Sequence, residues 1–305
     1  HRVDRSAASD VYKRQSYGLS TAAPYLGDIA SGLSSDHVVT RTVRDSAALL
    51  DCTVPPSERN FSYLDAHREN PGELKILATV HYPEDNSAGP QQVAAVEQSV
   101  EILRRLGHSV TLVDKSPLVS LGAWFDLLWI ADLPPLIAER ASELGHGPRE
   151  GDLELLSLAA LEFFARAGAE GLAEAIALKK KAAAEHLRIF DTYDILLTPT
   201  MSNDPAPLGA LEFREGDTMG TWSERGYGFA AFASVANVSG QPAASLPLPM
   251  KNSAIPVGVQ IMAAPHRDLL VLQLSAQLEE AFNWNDALRD RCTIAAGRLS
   301  PSVQR

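Results

Sequence analysis

The hydrophobic and polar positions along this chain follow a helical period in some segments and a strand-like period in others. In the segment 36–53, Val39, Val43, Ala47 and Leu50 recur at helical spacing between polar residues. This spacing predicts a strand or loop that leads into an amphipathic helix. Other segments contain short apolar runs bounded by turn residues, which predict strands. The chain is therefore predicted to combine helices and strands.

Residues 73–114 are predicted to form a β–α–β unit. The runs 73–80 and 108–114 have the apolar, β-branched character of strands. Between them, apolar residues recur on one face of a helix that Gly107 ends. Because such a crossover is right-handed and joins neighbouring strands of one sheet, we expect the two strands to pair in parallel.

The remaining segments continue the alternation of helices and strands. Residues 117–190 are rich in Leu, Ala and Glu, and their prolines and glycines divide them into a predicted block of three or four helices. The later predictions are a strand at 193–200 with a long loop after it, a helix near 228–236, strands at 244–250 and 255–262 with a turn at Asn252 and Ser253, and a final amphipathic helix at 267–282. The predicted fold class is α/β.

Composition and charge narrow the possible partners. The 305 residues carry a net charge of −11, which disfavours nucleic acid and anionic membrane surfaces as partners. The most apolar stretch, 121–138, contains Asp126 and Asp132, which argue against a membrane span. The two cysteines, Cys52 and Cys292, show no CxxC spacing, so a reducing, cytoplasmic setting fits best. We predict no nucleic acid and no membrane as partners.

No local motif for a metal or a cofactor is found in the sequence. The eight histidines form no HxH or HExxH pair, and the chain contains neither a GxSxG nor an SxxK motif. The segment 226–231 matches the loose GxGxxA pattern. However, no predicted strand precedes it and no acidic residue follows at the distance that dinucleotide binding requires. We therefore predict no metal site and no cofactor.

Four segments resemble, in the same order, characteristic blocks of the amidase signature family. The first block, 34–50, contains the run TRTVRDSAALL, in which Arg41, Arg44 and Asp45 match the family pattern. The other three are YDILLTPT, ASVANVSGQPAASLPLPM, and the segment that begins IPVGVQIM and ends at Trp284. The amino-acid sequence of the first block is most similar to that of a bacterial branch of the family that includes 6-aminohexanoate cyclic-dimer hydrolases.

This resemblance implies part of an α/β/α domain with a mixed, largely parallel twisted sheet. It also implies hydrolysis of the C–N bond of a small or cyclic amide by a nucleophilic serine, a second serine in a cis peptide, and a lysine. In the family those residues precede the segment that begins here at Gly18, and no matching run is found in this chain. We therefore expect a foreign or disordered leader at 1–15 and the C-terminal portion of a single amidase domain at 16–305, with a helical insertion at about 117–190 and the N-terminal part missing.

No catalytic residue is predicted within the chain, which is expected to be inactive as written. The candidate substrate-binding residues lie at strand ends or in the helical block, and packing alone remains an alternative for them: Trp129, Pro199, Thr200, Gly240, Gln241 and Pro242. Two further expectations are structural. Among Arg41, Arg44 and Asp45, an Arg–Asp ion pair is expected to fix the junction between the sheet and a helix. The lysine run 179–181 is expected to lie on a solvated helix face.

Two other functions remain open at this point. One is a glutamine amidase similar to the catalytic component of the tRNA-linked amidotransferases, which hydrolyses glutamine within a larger complex. The other is a non-catalytic α/β module that binds a ligand at the ends of its strands. If the chain is part of a hydrolase of small or cyclic amides, its partner is a small-molecule amide. The resemblance also implies a possible homodimer.

Overall fold

The computed structural model describes residues 11–19, 29–35, 37–55, 57, 60–83, 86–250, 257–284 and 286. Its strands are β1 (Val11–Arg14), β2 (Val39–Thr40), β3 (Lys75–Thr79), β4 (His81–Tyr82), β5 (Asn86–Ser87), β6 (Ser109–Val113), β7 (Ile195–Pro199), β8 (Ala243–Leu248) and β9 (Val257–Ala263). Its α-helices are α1 (Val43–Thr53), α2 (Tyr63–Ala66), α3 (Pro90–Arg105), α4 (Ala123–Trp129), α5 (Leu133–Leu144), α6 (Leu155–Leu187), α7 (Met219–Ala230), α8 (Ser234–Ser239) and α9 (Asp268–Phe282).

Seven strands form one mixed sheet in the order β2-β1-β8-β9-β7-β3-β6. Strand β3 pairs in parallel with β6 and β7, and the other four pairings are antiparallel. Five strands therefore run in one direction, while β9 and β1 run in the opposite one. The predicted mixed α/β sheet is confirmed. Neighbouring pairs are nevertheless mostly antiparallel, because β9 separates β7 from β8 and β1 separates β8 from β2.

The predicted β–α–β unit is confirmed by the parallel pairing of β3 with β6 on either side of α3. Helix α3 begins with Pro90 at its first position, where the missing N–H costs no hydrogen bond. Its buried face includes Val96, Val100 and Leu103, as the helical spacing predicted. Leu106 follows the last helical turn and remains exposed.

One face of the sheet is covered by α1, α3 and α9 and carries the largest apolar cluster among the described residues. Alternate residues of β7, Ile195 and Leu197, belong to this core together with the buried stripe of α9 that begins at Leu270. The helices confirm the predicted pattern, because the apolar positions of α1 and α9 are the buried ones. This face is the main hydrophobic core of the domain.

The opposite face carries a row of buried polar side chains across four neighbouring strands. Thr198 pairs with Gln260, and Gln260 pairs with Ser245 on its other side. Thr79 extends the row onto β3, and all four side chains are buried. The amide nitrogen of Gln260 donates to the Thr198 hydroxyl at 3.3 Å and to the carbonyl of Phe232 at 3.1 Å. The row therefore ties the link between α7 and α8 to the sheet.

The block 117–190 contains three helices, α4, α5 and α6, as predicted. The long helix α6 is broken at Gly168, whose φ of 62° and ψ of −168° are accessible only to glycine. This break turns one 33-residue element into two helical segments. Helix α5 begins with prolines in its first turn and ends at Gly145 in a left-handed conformation. The glycines and prolines therefore mark the boundaries that the sequence indicated.

The last part of the predicted leader belongs to the sheet. Residues 11–14 form β1 between β2 and β8, and Gln15 is buried. The backbone N–H and the hydroxyl of Ser16 both donate to the carboxylate of Asp268 in the first turn of α9. Residues 11–14 are therefore ordered, because strand pairing uses backbone groups that any sequence supplies, and a foreign leader stays a prediction. Residues 1–10, the predicted turn at Asn252 and Ser253, and Cys292 lie outside the described residues.

The expected ion pair at the start of α1 is present, but it lies at the surface. Arg44 and Asp45 are both exposed and their nearest charged atoms are 4.0 Å apart, so this pair contributes little. The start of α1 is held instead by Thr42, which accepts the N–H of Asp45, and by Glu279, which accepts the N–H of Val43. Both acceptors satisfy N–H groups that have no partner within the helix.

The lysine run 179–181 does not lie wholly on a solvated face. The side chain of Lys179 is half-buried, and its ammonium group donates to the carbonyl of Ser31 at 2.7 Å. Lys180 and Lys181 are exposed, as expected. The helical period explains the difference, because consecutive residues point about 100° apart around the helix axis.

Replacing Gly258 with alanine is expected to lower the free energy of unfolding by about 1–3 kcal/mol. A Cβ atom at this position would lie 2.8 Å from the Thr200 hydroxyl and 3.2 Å from the Ser245 hydroxyl, two groups that are hydrogen-bonded to each other. Urea unfolding monitored by circular dichroism measures the change. The control is Gly226→Ala in α7, where nothing lies within 4 Å of the added atom, and we expect a gain of about 0.5–1 kcal/mol. Equal effects at the two positions would contradict the steric explanation.

Candidate functional site

A cavity of about 450 Å³ lies outside the carboxyl ends of the parallel strands. It is bounded by Tyr82 and Pro83, which follow β3, by residues 119–122, which follow β6, and by one side each of α4 and α7. Segments that follow parallel strands meet at one edge of a sheet, and ligands of α/β proteins bind at that edge. The size of this cavity is within the usual range for small-molecule sites. We therefore take it as the candidate functional site.

Asp126 and Tyr227 form the polar centre of this cavity. Asp126 lies on α4 and is only 6% exposed, and Tyr227 lies on α7. The tyrosine hydroxyl donates to Oδ1 of Asp126 at 2.6 Å, and the side chain of Ser223 makes a second hydrogen bond to the carboxyl group. Two side chains 101 positions apart in the chain are thereby joined across the cavity wall.

Burial controls the ionisation of this pair. Desolvation raises the pKa of Asp126, and the hydrogen bonds from Tyr227 and Ser223 oppose that shift only in part. Desolvation also raises the pKa of Tyr227, and the adjacent carboxylate adds to the shift. Tyr227 therefore remains a neutral hydrogen-bond donor at every physiological pH.

Acidic and neutral polar groups line the cavity. Besides Asp126, the lining contains Glu224 and the hydroxyl groups of Ser120 and Ser223. Among the described residues, no lysine, arginine or histidine lines it. The site therefore presents carboxyl and hydroxyl groups to whatever enters it.

Trp129 lies beside this cavity and not in its lining. It ends α4, is 51% exposed, and stacks on Trp222 of α7 with ring centroids 5.9 Å apart and planes inclined by 12°. The stacked pair bridges the two helices that carry Asp126 and Tyr227. A role for Trp129 in binding substrate stays a prediction.

Pro199 and Thr200 lie at the same edge of the sheet as the cavity, at the end of β7. The N–H of Thr200 donates to the carbonyl of Gly258, and its hydroxyl is hydrogen-bonded to that of Ser245 at 2.7 Å. Thr200 is buried beneath the α7–α8 link, as part of the polar face of the sheet. Its contacts in this structure are therefore with neighbouring strands.

Gly240, Gln241 and Pro242 lie at the opposite edge of the sheet. Helix α8 ends at Gly240 in a left-handed conformation, and β8 begins directly after Pro242, as predicted. The carbonyl of Pro242 accepts the N–H of Ala263, and Ala263 also pairs with Ile195 at the start of β7. The structure therefore does not bring these three residues together with Thr200. The segment precedes a strand that runs in the same direction as β7, so it meets the amino edge.

Gln241 faces a buried histidine at that amino edge. Gln241 is fully buried, and His186, near the end of α6, is 1% exposed and packs edge-on against Phe190. Burial lowers the pKa of His186 to about 4, although Gln241 is close enough to oppose the shift weakly. Among the described residues, no well-formed hydrogen bond reaches the ring nitrogens of His186 or the side-chain amide of Gln241. His186 is therefore neutral near pH 7.

Sequence reasoning missed the pair of Asp126 and Tyr227. In the sequence, Asp126 indicates only that its apolar stretch does not span a membrane, and Tyr227 lies in a GxGxxA match that lacks the context of a dinucleotide site. The signal that pointed to Asp126 was a single carboxylate within an apolar stretch, because such a group is buried only with partners.

No helix among the described residues has the length and apolar character to cross a bilayer. In the same part of the chain, no three His, Cys, Asp or Glu side chains cluster as metal ligands would.

Known proteins share both the sequence and the fold of this chain. The chain is 31% identical to the 6-aminohexanoate-cyclic-dimer hydrolase of Pseudomonas sp. (strain NK87) and 30% identical to that of Paenarthrobacter ureafaciens. Each match covers 93% of this chain and 61% of the relative, so the chain spans about three fifths of the length of these relatives.

A solved structure of 6-aminohexanoate cyclic dimer hydrolase superposes with a TM-score of 0.81 at 27% identity, over 92% of this chain and 62% of that one. A bacterial aryl acylamidase of the amidase signature family shares the fold, with a TM-score of 0.73 at 18% identity over 93% of this chain and 61% of that one. The sequence model of the Amidase family matches residues 14–272. The chain therefore belongs to the amidase family, as its four ordered sequence blocks indicated.

Proposed function

We propose that the protein to which this chain belongs hydrolyses the C–N bond of a small or cyclic amide. The observation that carries this proposal is the cavity at the carboxyl edge of the sheet, which is large enough for a small amide. Its hydroxyl and carboxylate groups match the N–H and carbonyl groups of an amide. Relatives named for hydrolysis of the 6-aminohexanoate cyclic dimer support the same reaction class.

The described residues supply one wall of the substrate pocket in this proposal. The family resemblance assigns bond cleavage to a serine nucleophile, a second serine in a cis peptide, and a lysine, and no run in this chain matches those motifs. A neutral, buried lysine takes a proton through the bridging serine, and the nucleophilic serine then attacks the carbonyl carbon. We propose that these three residues lie in a part of the protein outside this chain. The chain by itself then binds amides without cleaving them.

The test separates binding from turnover. The purified chain is incubated with hexanamide and with 6-aminohexanoate cyclic dimer, and release of amine is measured together with labelling by a serine-directed fluorophosphonate. We expect neither turnover nor labelling. Ligand-observed NMR with the same amides is expected to show binding. Fluorophosphonate labelling of the chain would contradict the proposed location of the nucleophile.

A complementation experiment tests the reaction class itself. The chain is co-expressed with the part of the Paenarthrobacter ureafaciens relative that lies outside its match to this chain. We expect amide hydrolysis and fluorophosphonate labelling of the added segment. The control is the same pair with the nucleophilic serine of that segment replaced by alanine. Absence of both amide binding and complementation would contradict an amidase function, whereas binding alone would favour a non-catalytic ligand-binding module.

A further inference from the structure

The carboxyl group of Asp126 has no cationic partner among the described residues. Its hydrogen bonds come from the hydroxyl groups of Tyr227 and Ser223, which are neutral. In the described part of the chain, no cation is among the groups that shift the pKa of Asp126, and none lines the cavity. A buried carboxylate is normally paired with a cation, because desolvating an unpaired charge is costly. Within the part of the chain that the structure describes, an ionised Asp126 therefore has no cation to balance its charge.

The carboxylate of Asp126 also retains unused hydrogen-bonding capacity. An ionised carboxyl group has about four acceptor positions on its two oxygens. Tyr227 occupies one of them at Oδ1, and Ser223 provides one further hydrogen bond. Because Asp126 is itself part of the cavity lining, a ligand inside the cavity has direct access to the group. Glu224, which also lines the cavity, adds a second negative charge.

We propose that Asp126 is a specificity-determining residue that binds the ammonium group of an amide substrate carrying a free primary amine. The proposal rests on the proposed amidase function and narrows its substrate class to amino-substituted amides. The ammonium group supplies the missing positive charge and up to three N–H donors. Tyr227 and Ser223 hold the carboxylate in place, and the scissile amide lies farther along the cavity. A neutral amide of the same length lacks this charge-assisted contact.

The experiment compares two ligands that differ only in the terminal amine. Dissociation constants of 6-aminohexanamide and hexanamide are measured with the purified chain by isothermal titration calorimetry. We expect the amino amide to bind at least about tenfold more tightly, as for one charge-assisted hydrogen-bonded contact. Equal affinities would overturn the proposal, as would a preference for hexanamide or no measurable binding of either ligand. This comparison requires no variant, so it does not depend on whether a mutant folds.

Two variants assign the preference to the carboxylate. Asp126→Asn keeps the shape of the side chain and removes its charge, and we expect the two ligands to bind it equally. Tyr227→Phe removes one of the hydrogen bonds that hold the carboxylate in place, so the preference for the amine is expected to become smaller without disappearing. The control is Asp191→Asn, an exposed position with the same change in net charge, which is expected to leave the preference unchanged. A preference that survives in a folded Asp126→Asn variant would overturn the assignment.

The outcome is distinguishable from failure of the proposed amidase function. If complementation restores hydrolysis but hexanamide binds as tightly as 6-aminohexanamide, the amidase function stands and the role of Asp126 is wrong. If the amine preference is found but complementation restores no hydrolysis, Asp126 recognises the ammonium group in a protein that does not cleave amides. Tighter binding of hexanamide to a protonated Asp126 would show that this residue donates a hydrogen bond to a carbonyl instead.

Discussion

Replacing Phe232 with alanine is expected to lower the free energy of unfolding by about 3–5 kcal/mol, the range for loss of a fully buried phenylalanine. Phe232 is completely buried in the link between α7 and α8. Its ring packs edge-on against Tyr82, with centroids 5.4 Å apart, and belongs to the apolar cluster around Leu196 and Met262. Removing the ring leaves a cavity between the sheet and the helices that bound the candidate site.

Urea unfolding of Phe232→Ala and of Phe61→Ala provides a matched comparison. Phe61 is 38% exposed, and its ring packs against Tyr63. We expect a clearly smaller loss at Phe61, because less apolar surface is returned to water. Tyr82 lines the cavity, so Phe232→Ala is also expected to weaken amide binding in the folded protein. A loss at Phe232 no larger than at Phe61 would contradict the packing described for this link.

Acid is expected to destabilise the fold through His186. Its pKa is about 4 in the folded protein and about 6.5 when the chain is unfolded. Between these values the unfolded chain binds a proton that the folded protein does not, so stability falls as the pH decreases from about 6.5 to about 4. The shift corresponds to about 3 kcal/mol at the lower end of this range. The loss arises because protonation would place a positive charge beside Gln241 and Phe190 in a buried site.

The variant His186→Gln removes the titrating group and tests this assignment. Free energies of unfolding are measured in urea at pH 7.5 and pH 4.5 for the unaltered chain and for the variant. We expect the variant to lose less stability between the two pH values. The control is His146→Gln at the exposed end of α5, which is expected to keep the pH dependence of the unaltered chain. An unchanged pH dependence in His186→Gln would contradict a buried, neutral imidazole.

Much of the fold follows from local sequence patterns. The strands on both sides of α3 are apolar, β-branched runs, and the helix between them has a continuous apolar face. The break at Gly168 and the helix end at Gly145 follow from the conformational freedom of glycine. These features depend on residues close together in the sequence, so the sequence alone is sufficient to predict them.

The candidate site depends on contacts between distant residues, and for that reason only part of it was predicted. Thr200 follows β7 and Gln241 precedes β8. The sequence does not show that these strands run in the same direction on either side of β9, which places the two residues at opposite edges. The contact between Asp126 and Tyr227 requires α4 and α7 to meet after a long helical block. The half-buried ammonium group of Lys179 likewise depends on the position of Ser31, far earlier in the chain.

The contact between Ser16 and Asp268 has a consequence for synthesis on the ribosome. The two residues are 252 positions apart, and β1 also pairs with β8. At about 5–20 residues per second, a ribosome needs about 13–50 s to proceed from the first residue to the second. During that interval the early strand has no β8 to pair with. Until then the edge of β1 that faces β8 stays unpaired, and an unpaired strand edge can pair with other chains.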